Sequence, residues 1–138
     1  MLGSCVAVCL WDQKRKVGGM NHFQFPSTAE QKEATAIFGN VATFALIRMM
    51  IKEGSKVKHL EAQIFGGAND PRLSLKNVGH ENVRTARKIL AQARIRIVSE
   101  DIGGEKGRKI VFNTATNEVA ILRVEKLRKG DWFPYDSE

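Results

Sequence analysis

The sequence predicts an α/β fold: a single domain with a mixed sheet of about six strands and two main helices. Three observations carry that expectation. Residues 3–11 are almost continuously apolar and rich in valine, as in a strand covered on both faces. Two later segments, around residues 34–49 and 83–93, repeat apolar residues at helical spacing. The other apolar runs are short, and turn residues separate them. A chain of 138 residues, 43% hydrophobic, has the size and content for one compact core, so residues 1–138 are taken as one domain.

Each element follows in order. "DQKRK" at 12–16 is a polar turn after the first strand. Residues 17–25 form the second strand, ended by Pro26. Ser27, Thr28, Ala29 and Glu30 have capping-box spacing, so a helix begins near them and is underway by Ala34. Ala34, Phe38, Val41, Ala45 and Met49 mark one face of it, with Ile37 and Phe44 alongside, and Gly54 stops it. So wide an apolar surface implies a central, well-covered helix. Residues 57–65 read as the third strand and run into Gly66 and Gly67. A second helix starts between positions 77 and 79, with Val83, Ala86, Leu90 and Ala93 on its apolar face. His80 and Asn82, at its start, are assigned to capping ahead of partner contact. Residues 95–98 are a strand and "DIGGEKG" a glycine-rich turn. Residues 109–113 and 118–124 make a hairpin around "TATN", where Asn117 suits the left-handed conformation. The tail, 127–138, carries Trp132, Phe133 and Tyr135 and is expected to be flexible.

Composition excludes several classes. The longest apolar stretch, residues 41–51, is broken by Thr43 and Arg48 and is too short to insert in a membrane; no secretory signal opens the chain. The expected location is the cytoplasm. Cys5 and Cys9, on one strand, stand ~13 Å apart at ~3.3 Å per residue, beyond the ~7 Å that a disulfide spans. Both are read as thiols of a reducing compartment. No cysteine or histidine spacing suits a metal, so no metal and no cofactor is expected. The net charge of +7 calls for an acidic partner or simply a solvated basic surface. Nucleic acid is not favoured, because the basic clusters at 14–16 and 87–96 lack interleaved aromatics. "GGEKG" lacks the ending of a phosphate loop.

The chemistry-bearing stretch is "GSCVAVCLWDQKRKVGGMNHF", residues 3–23. If the hairpin loop is centred between Gln13 and Lys14, Cys5 lies opposite His22, with Cβ atoms ~5 Å apart. A loop longer by two residues makes them diagonal neighbours on the same face; only an odd change separates them. A thiolate is a nucleophile and an imidazole stabilises it. Gly3 allows close approach of a substrate carbonyl, and the Cys5 N–H is a candidate oxyanion donor. The plainer alternative is a buried space-filling cysteine and a satisfied strand histidine, which is also how Cys9 and His59 are read.

The motifs "GSCVAVCLWD", "VGGMNHFQFP", "LEAQIFGGAND", "NVGHENV" and "EDIGGEKGRKIVFN", with the strand that follows, resemble in their order the chemoreceptor glutamine deamidases, CheD, over residues 2–125. The resemblance implies hydrolysis of glutamine side-chain amides on methyl-accepting chemotaxis receptors, the activity of a protein-glutamine glutaminase. It implies Cys5 as nucleophile and His22 as its base, with no cofactor. It implies a fold similar to the catalytic domain of cytotoxic necrotizing factor toxins, and CheC, a response-regulator phosphatase, as a possible partner. Gly3, Ser4, Asn21, Gly66 and Gly67 are candidates for substrate or oxyanion contact; for Gly66 and Gly67 a close-packed turn is an equal alternative. The family's threonine six positions before the cysteine would precede Met1, so the N-terminal strand that carries it is expected to be missing. The competing reading is a binding module, impaired in catalysis, that regulates CheC. A thiol peptidase is a weaker one.

Overall fold

The computed structural model describes residues 2–28, 35–72 and 77–125. The expected tail, Ala34 and the Ala29–Glu30 half of the capping box lie outside them.

Strand β1 (Val6–Asp12) is buried along its whole length, as its unbroken apolar run requires. It pairs antiparallel with β2 (Val17–Met20) on one side and with β3 (Leu60–Gly66) on the other. β4 (Arg96–Ile102) adds to β3 in parallel, giving the order β2-β1-β3-β4. Helices α1 (Gly39–Lys52) and α2 (Val78–Gln92) cover one face of this sheet. There Val6, Val8, Leu10 and Phe23 pack with Leu46, Ile47, Val83, Ala86 and Leu90. The other face carries Cys5, Ala7, Cys9 and Phe65. A hairpin of β5 (Gly107–Phe112) and β6 (Val119–Val124) covers it with Ile110, Phe112 and Val119.

The fold is therefore a single-domain α/β arrangement with a mixed sheet and two helices, but the six strands are not one sheet. Four form the sheet and two a separate hairpin. Gly103 and Gly104, both at positive φ, turn the chain out of the sheet after β4. β5 then crosses the apolar face that would otherwise be bare. Hydrogen bonds fasten the hairpin to the rest of the fold. Leu2 and Arg108 exchange two backbone hydrogen bonds (2.7 and 2.8 Å). Gln63 Nε2 donates to the Asn117 carbonyl at 3.0 Å, and the Trp11 indole donates to the Thr114 carbonyl at 3.2 Å.

Helix α1 differs most from expectation. It begins at Gly39, and residues 35–38 are not helical. The amides of Gln24 and Phe25 both donate to the Ile37 carbonyl, and Phe25 bridges Phe38 in parallel. This strand-like pairing takes the backbone groups that a longer helix would use. The Phe23 ring also lies so close to Gly39 that a Cβ there would stand 2.4 Å from it. Nor is α1 well covered: Phe44, Met49 and Ile51 are exposed, and only the stripe through Ala42, Leu46, Ile47 and Met50 is buried. A 3-10 turn, Val57–His59, precedes β3, which starts later than the apolar pattern suggests.

Candidate active site

The register of the first hairpin comes from Asp12. Its Oδ1 accepts the amides of Lys14 and Arg15, each at 2.9 Å, and its carbonyl accepts that of Lys16 at 2.8 Å. The result is a four-residue loop closed by Lys16 at φ 57°. Cys9 stands opposite Met20, and Val6 and Phe23 exchange backbone bonds of 3.0 and 2.9 Å. This is two residues from the register in which Cys5 would face His22 directly. His22 instead faces Ala7, and Cys5 is its diagonal neighbour on the same face. Within a paired ladder such diagonals are roughly 7–8 Å apart; here Cys5 stands just past the last pair, Val6 with Phe23.

Asn21 adjusts the strand just before His22. The Val8 amide donates to Asn21 Oδ1 (2.8 Å), while the Asn21 amide donates to the Val8 carbonyl (3.0 Å). Asn21 Nδ2 reaches Thr43 Oγ1 of α1 at 3.4 Å. Both ends of this side chain are thus engaged within the helix-side layer.

The backbone before and at Cys5 is held at three successive carbonyls. Gly3 accepts from the Ala68 amide (3.0 Å), Ser4 from Asn82 Nδ2 (2.9 Å) and Cys5 from the Gly67 amide (2.9 Å). Gly66 and Gly67 form a close-packed turn at φ 103° and 70°. A Cβ on Gly66 would sit 2.2 Å from the Cys5 carbonyl oxygen, which only glycine avoids. Across the turn lies the first turn of α2, where a Cβ on Gly79 would be 2.3 Å from the Ala68 carbonyl oxygen.

The two thiols sit in different surroundings, and neither forms a disulfide. Cys9 lies mid-strand under the hairpin, fully buried, and burial pushes its pKa up to about 12. Cys5 lies at the strand's end, 3% exposed, beside Ser4. His22 is exposed, yet partial desolvation by the surrounding protein holds its imidazole below the ordinary value of 6.5. Its neutral, proton-accepting form is favoured at neutral pH. Among the described residues no three His, Cys, Asp or Glu side chains are grouped to hold a metal ion.

The α2 cap differs from expectation. Asn77 Oδ1 accepts the His80 amide at 2.9 Å, so Asn77 is the cap, His80 is exposed and Asn82 caps nothing. Asn82 is fully buried, and its Nδ2 donates to both the Ser4 and Gln24 carbonyls (2.9 and 3.0 Å). The signal was in the periodicity: positions 82, 86 and 90 share one helical face, so a polar residue stood on the core side.

The family model described as CheD chemotactic sensory transduction matches residues 24–123. The chain belongs to the CheD family. Among CheD proteins it is 42% identical over 127 residues to a probable chemoreceptor glutamine deamidase of Trichlorobacter lovleyi, covering 89% of this chain and 78% of that one. It is 39% identical over 129 residues to another of the same description from Sulfurimonas denitrificans, covering 91% and 83%. The CheD model match spans α1, β3, α2, β4 and β5 and begins just after His22. Among the described residues of this CheD chain no helix is long and apolar enough to cross a membrane.

Proposed function

We propose that this chain hydrolyses glutamine side-chain amides on chemoreceptors, with Cys5 as nucleophile and His22 as base. One observation carries the reading: in a chain of the CheD family, a thiol and an imidazole of lowered pKa share one face as diagonal neighbours at the end of β1. The names of the relatives supply the substrate class.

In the first step neutral His22 takes the Cys5 proton and the sulfur attacks the carboxamide carbon. The tetrahedral oxyanion then collapses; the C–N bond breaks and ammonia leaves with the proton that His22 returns. The product is a thioester between Cys5 and the former glutamine side chain. A water, deprotonated by His22, attacks it; the C–S bond breaks, the Cys5 sulfur takes back the proton from His22, and a glutamate side chain departs. The cycle needs no metal or redox partner. Cys5 is nearly buried, so the approach suits a slender side chain entering past the exposed His22. Gly3, Ser4, Gly66 and Gly67 support this centre by fixing the backbone under the sulfur, and Asn21 by fixing the strand that carries His22.

The same reading takes the reaction to be cytoplasmic, on the receptors' cytoplasmic regions. It includes a likeness to the catalytic domain of cytotoxic necrotizing factor toxins and a restraining partner in CheC. The test is to incubate the chain with receptor cytoplasmic fragments and map amide-to-acid conversion by peptide mass spectrometry. Conversion at discrete glutamines is expected, and its absence with fragments that a family relative converts contradicts the proposal.

A further inference from the structure

We infer that Asn82 is a positioning residue, a clamp that fixes Cys5 relative to His22. The inference rests on the Cys5–His22 reading above. Past the end of β2 the chain still bonds to β1 through a bridge between Val6 and Phe23, and beyond it the two segments diverge. Beyond that point the Cys5 carbonyl turns to Gly67, while the Gln24 and Phe25 amides turn to Ile37. The two segments part at the residues that carry the thiol and the imidazole. Asn82, one turn into α2, spans the gap. One of its amide bonds goes to Ser4, whose carbonyl belongs to the peptide leading into Cys5; the other goes to Gln24, two residues past His22.

Its other end argues that the position is kept for those two bonds. Asn82 Oδ1 is buried with no hydrogen-bond partner among the described residues. An unpaired buried acceptor is unfavourable, and an apolar residue would avoid it. Aspartate would set an oxygen against two carbonyl oxygens. Only a side chain with two donors on one atom bridges both carbonyls from this place on the helix. Gly79, three residues earlier, lets α2 sit close enough to the Gly67–Ala68 turn for the reach to work.

The test compares the parent chain with Asn82→Asp, Asn82→Ser and, as a control for stability alone, Leu90→Ala. Leu90 is fully buried on the same helix and is remote from the clamp in sequence register. Three quantities are measured on each: the thermal midpoint, the pH profile of Cys5 alkylation by iodoacetamide in the folded protein, and kcat and KM on receptor cytoplasmic fragments. Asn82→Asp is expected to shift the Cys5 profile and to lower kcat on the order of 10²-fold with KM little changed, the scale of an ångström-sized misplacement. Asn82→Ser retains one donor and is expected to fall between. Leu90→Ala is expected to lose stability yet keep the parent's Cys5 profile and kcat. The clamp is overturned if folded Asn82 variants keep the parent's profile, or if Leu90→Ala shifts it equally. Should Asn82→Asp fail to fold, Asn82→Ser decides. A parent chain that does not deamidate sinks the proposed function, and the alkylation comparison still judges the clamp.

Discussion

Cys5 and Cys9 share one face of the sheet, four residues apart, and differ in what surrounds the sulfur. At Cys9 burial disfavours the thiolate, and a pKa of about 12 leaves roughly one molecule in 10⁵ ionised at neutral pH. Cys5 has an imidazole on its diagonal. Iodoacetamide at neutral pH is therefore expected to label Cys5 and leave Cys9 untouched until the protein unfolds; equal labelling, read by peptide mass spectrometry, rules out the nucleophile assignment. His22 gives a second test. Desolvation lowers its pKa, so the imidazole stays neutral further into acid than a free one. The acid limb of kcat/KM should fall below pH 6.5, and a midpoint at or above that value contradicts the base assignment. The same shift lowers stability in acid as well. As pH falls, the unfolded chain protonates first, so this group's contribution is lost as pH drops through the unfolded value toward the folded one.

Among the elements, the contact between α2 and the Gly66–Gly67 turn decides where the Cys5 backbone sits. Gly79→Ala drives a Cβ to within 2.3 Å of the Ala68 carbonyl and 2.4 Å of that of Gly67, backbone atoms that cannot swing aside. A loss of about 1–3 kcal/mol is expected from such overpacking, with a fall in turnover because the Cys5 tether moves with the turn. Gly104→Ala is the contrast: its Cβ meets nothing within 4 Å, and only the positive φ opposes it, for about 1–2 kcal/mol. Urea denaturation and turnover on the same two variants separate them; an undiminished turnover in Gly79→Ala removes the link between the helix and Cys5. At this scale the sequence was legible where a single signal acted alone. The position of α2, its apolar stripe and the left-handed Asn117 all follow from local pattern. The start of α1 does not, because the pairing of residues 24–25 with 37–38 is a tertiary contact that overrides helical periodicity. The register of the first hairpin turned on the Asp12 side chain, whose two bonds set the loop length.

For the whole molecule, three layers put the thiols between sheet and hairpin. The hairpin's attachment centres on Arg108, which is almost fully buried. Its guanidinium pairs with Asp101 at 3.1 Å and donates to the Gly103 and Gly66 carbonyls at 2.8 and 3.4 Å. Bonds to a buried charged group are worth about 1.5–3 kcal/mol each when lost. Arg108→Leu is therefore expected to loosen the hairpin before the rest, and Cys9 should become open to alkylation at a denaturant concentration below the global midpoint; simultaneous exposure would mean that the layers do not separate. The class and the single domain were readable from residue order, and so was the common face of Cys5 and His22, since a strand's period of two keeps them together for any even change of loop. The division into sheet and hairpin was not, because strand patterns say nothing of which strands share a ladder. Asn82 was hidden for a related reason: its partners are backbone carbonyls 58 and 78 residues away, which no local pattern records.

The proposed reaction turns on a covalent bond between Cys5 and the substrate's side-chain carbon. The most direct measurement is rapid acid quenching of the chain during turnover on receptor cytoplasmic fragments, followed by digestion and peptide mapping. The expected result is a thioester-linked substrate peptide on the peptide containing Cys5, which forms before glutamate accumulates and is absent with Cys5→Ala. Turnover that proceeds with Cys5 unmodified, or that persists in Cys5→Ala, would contradict the account.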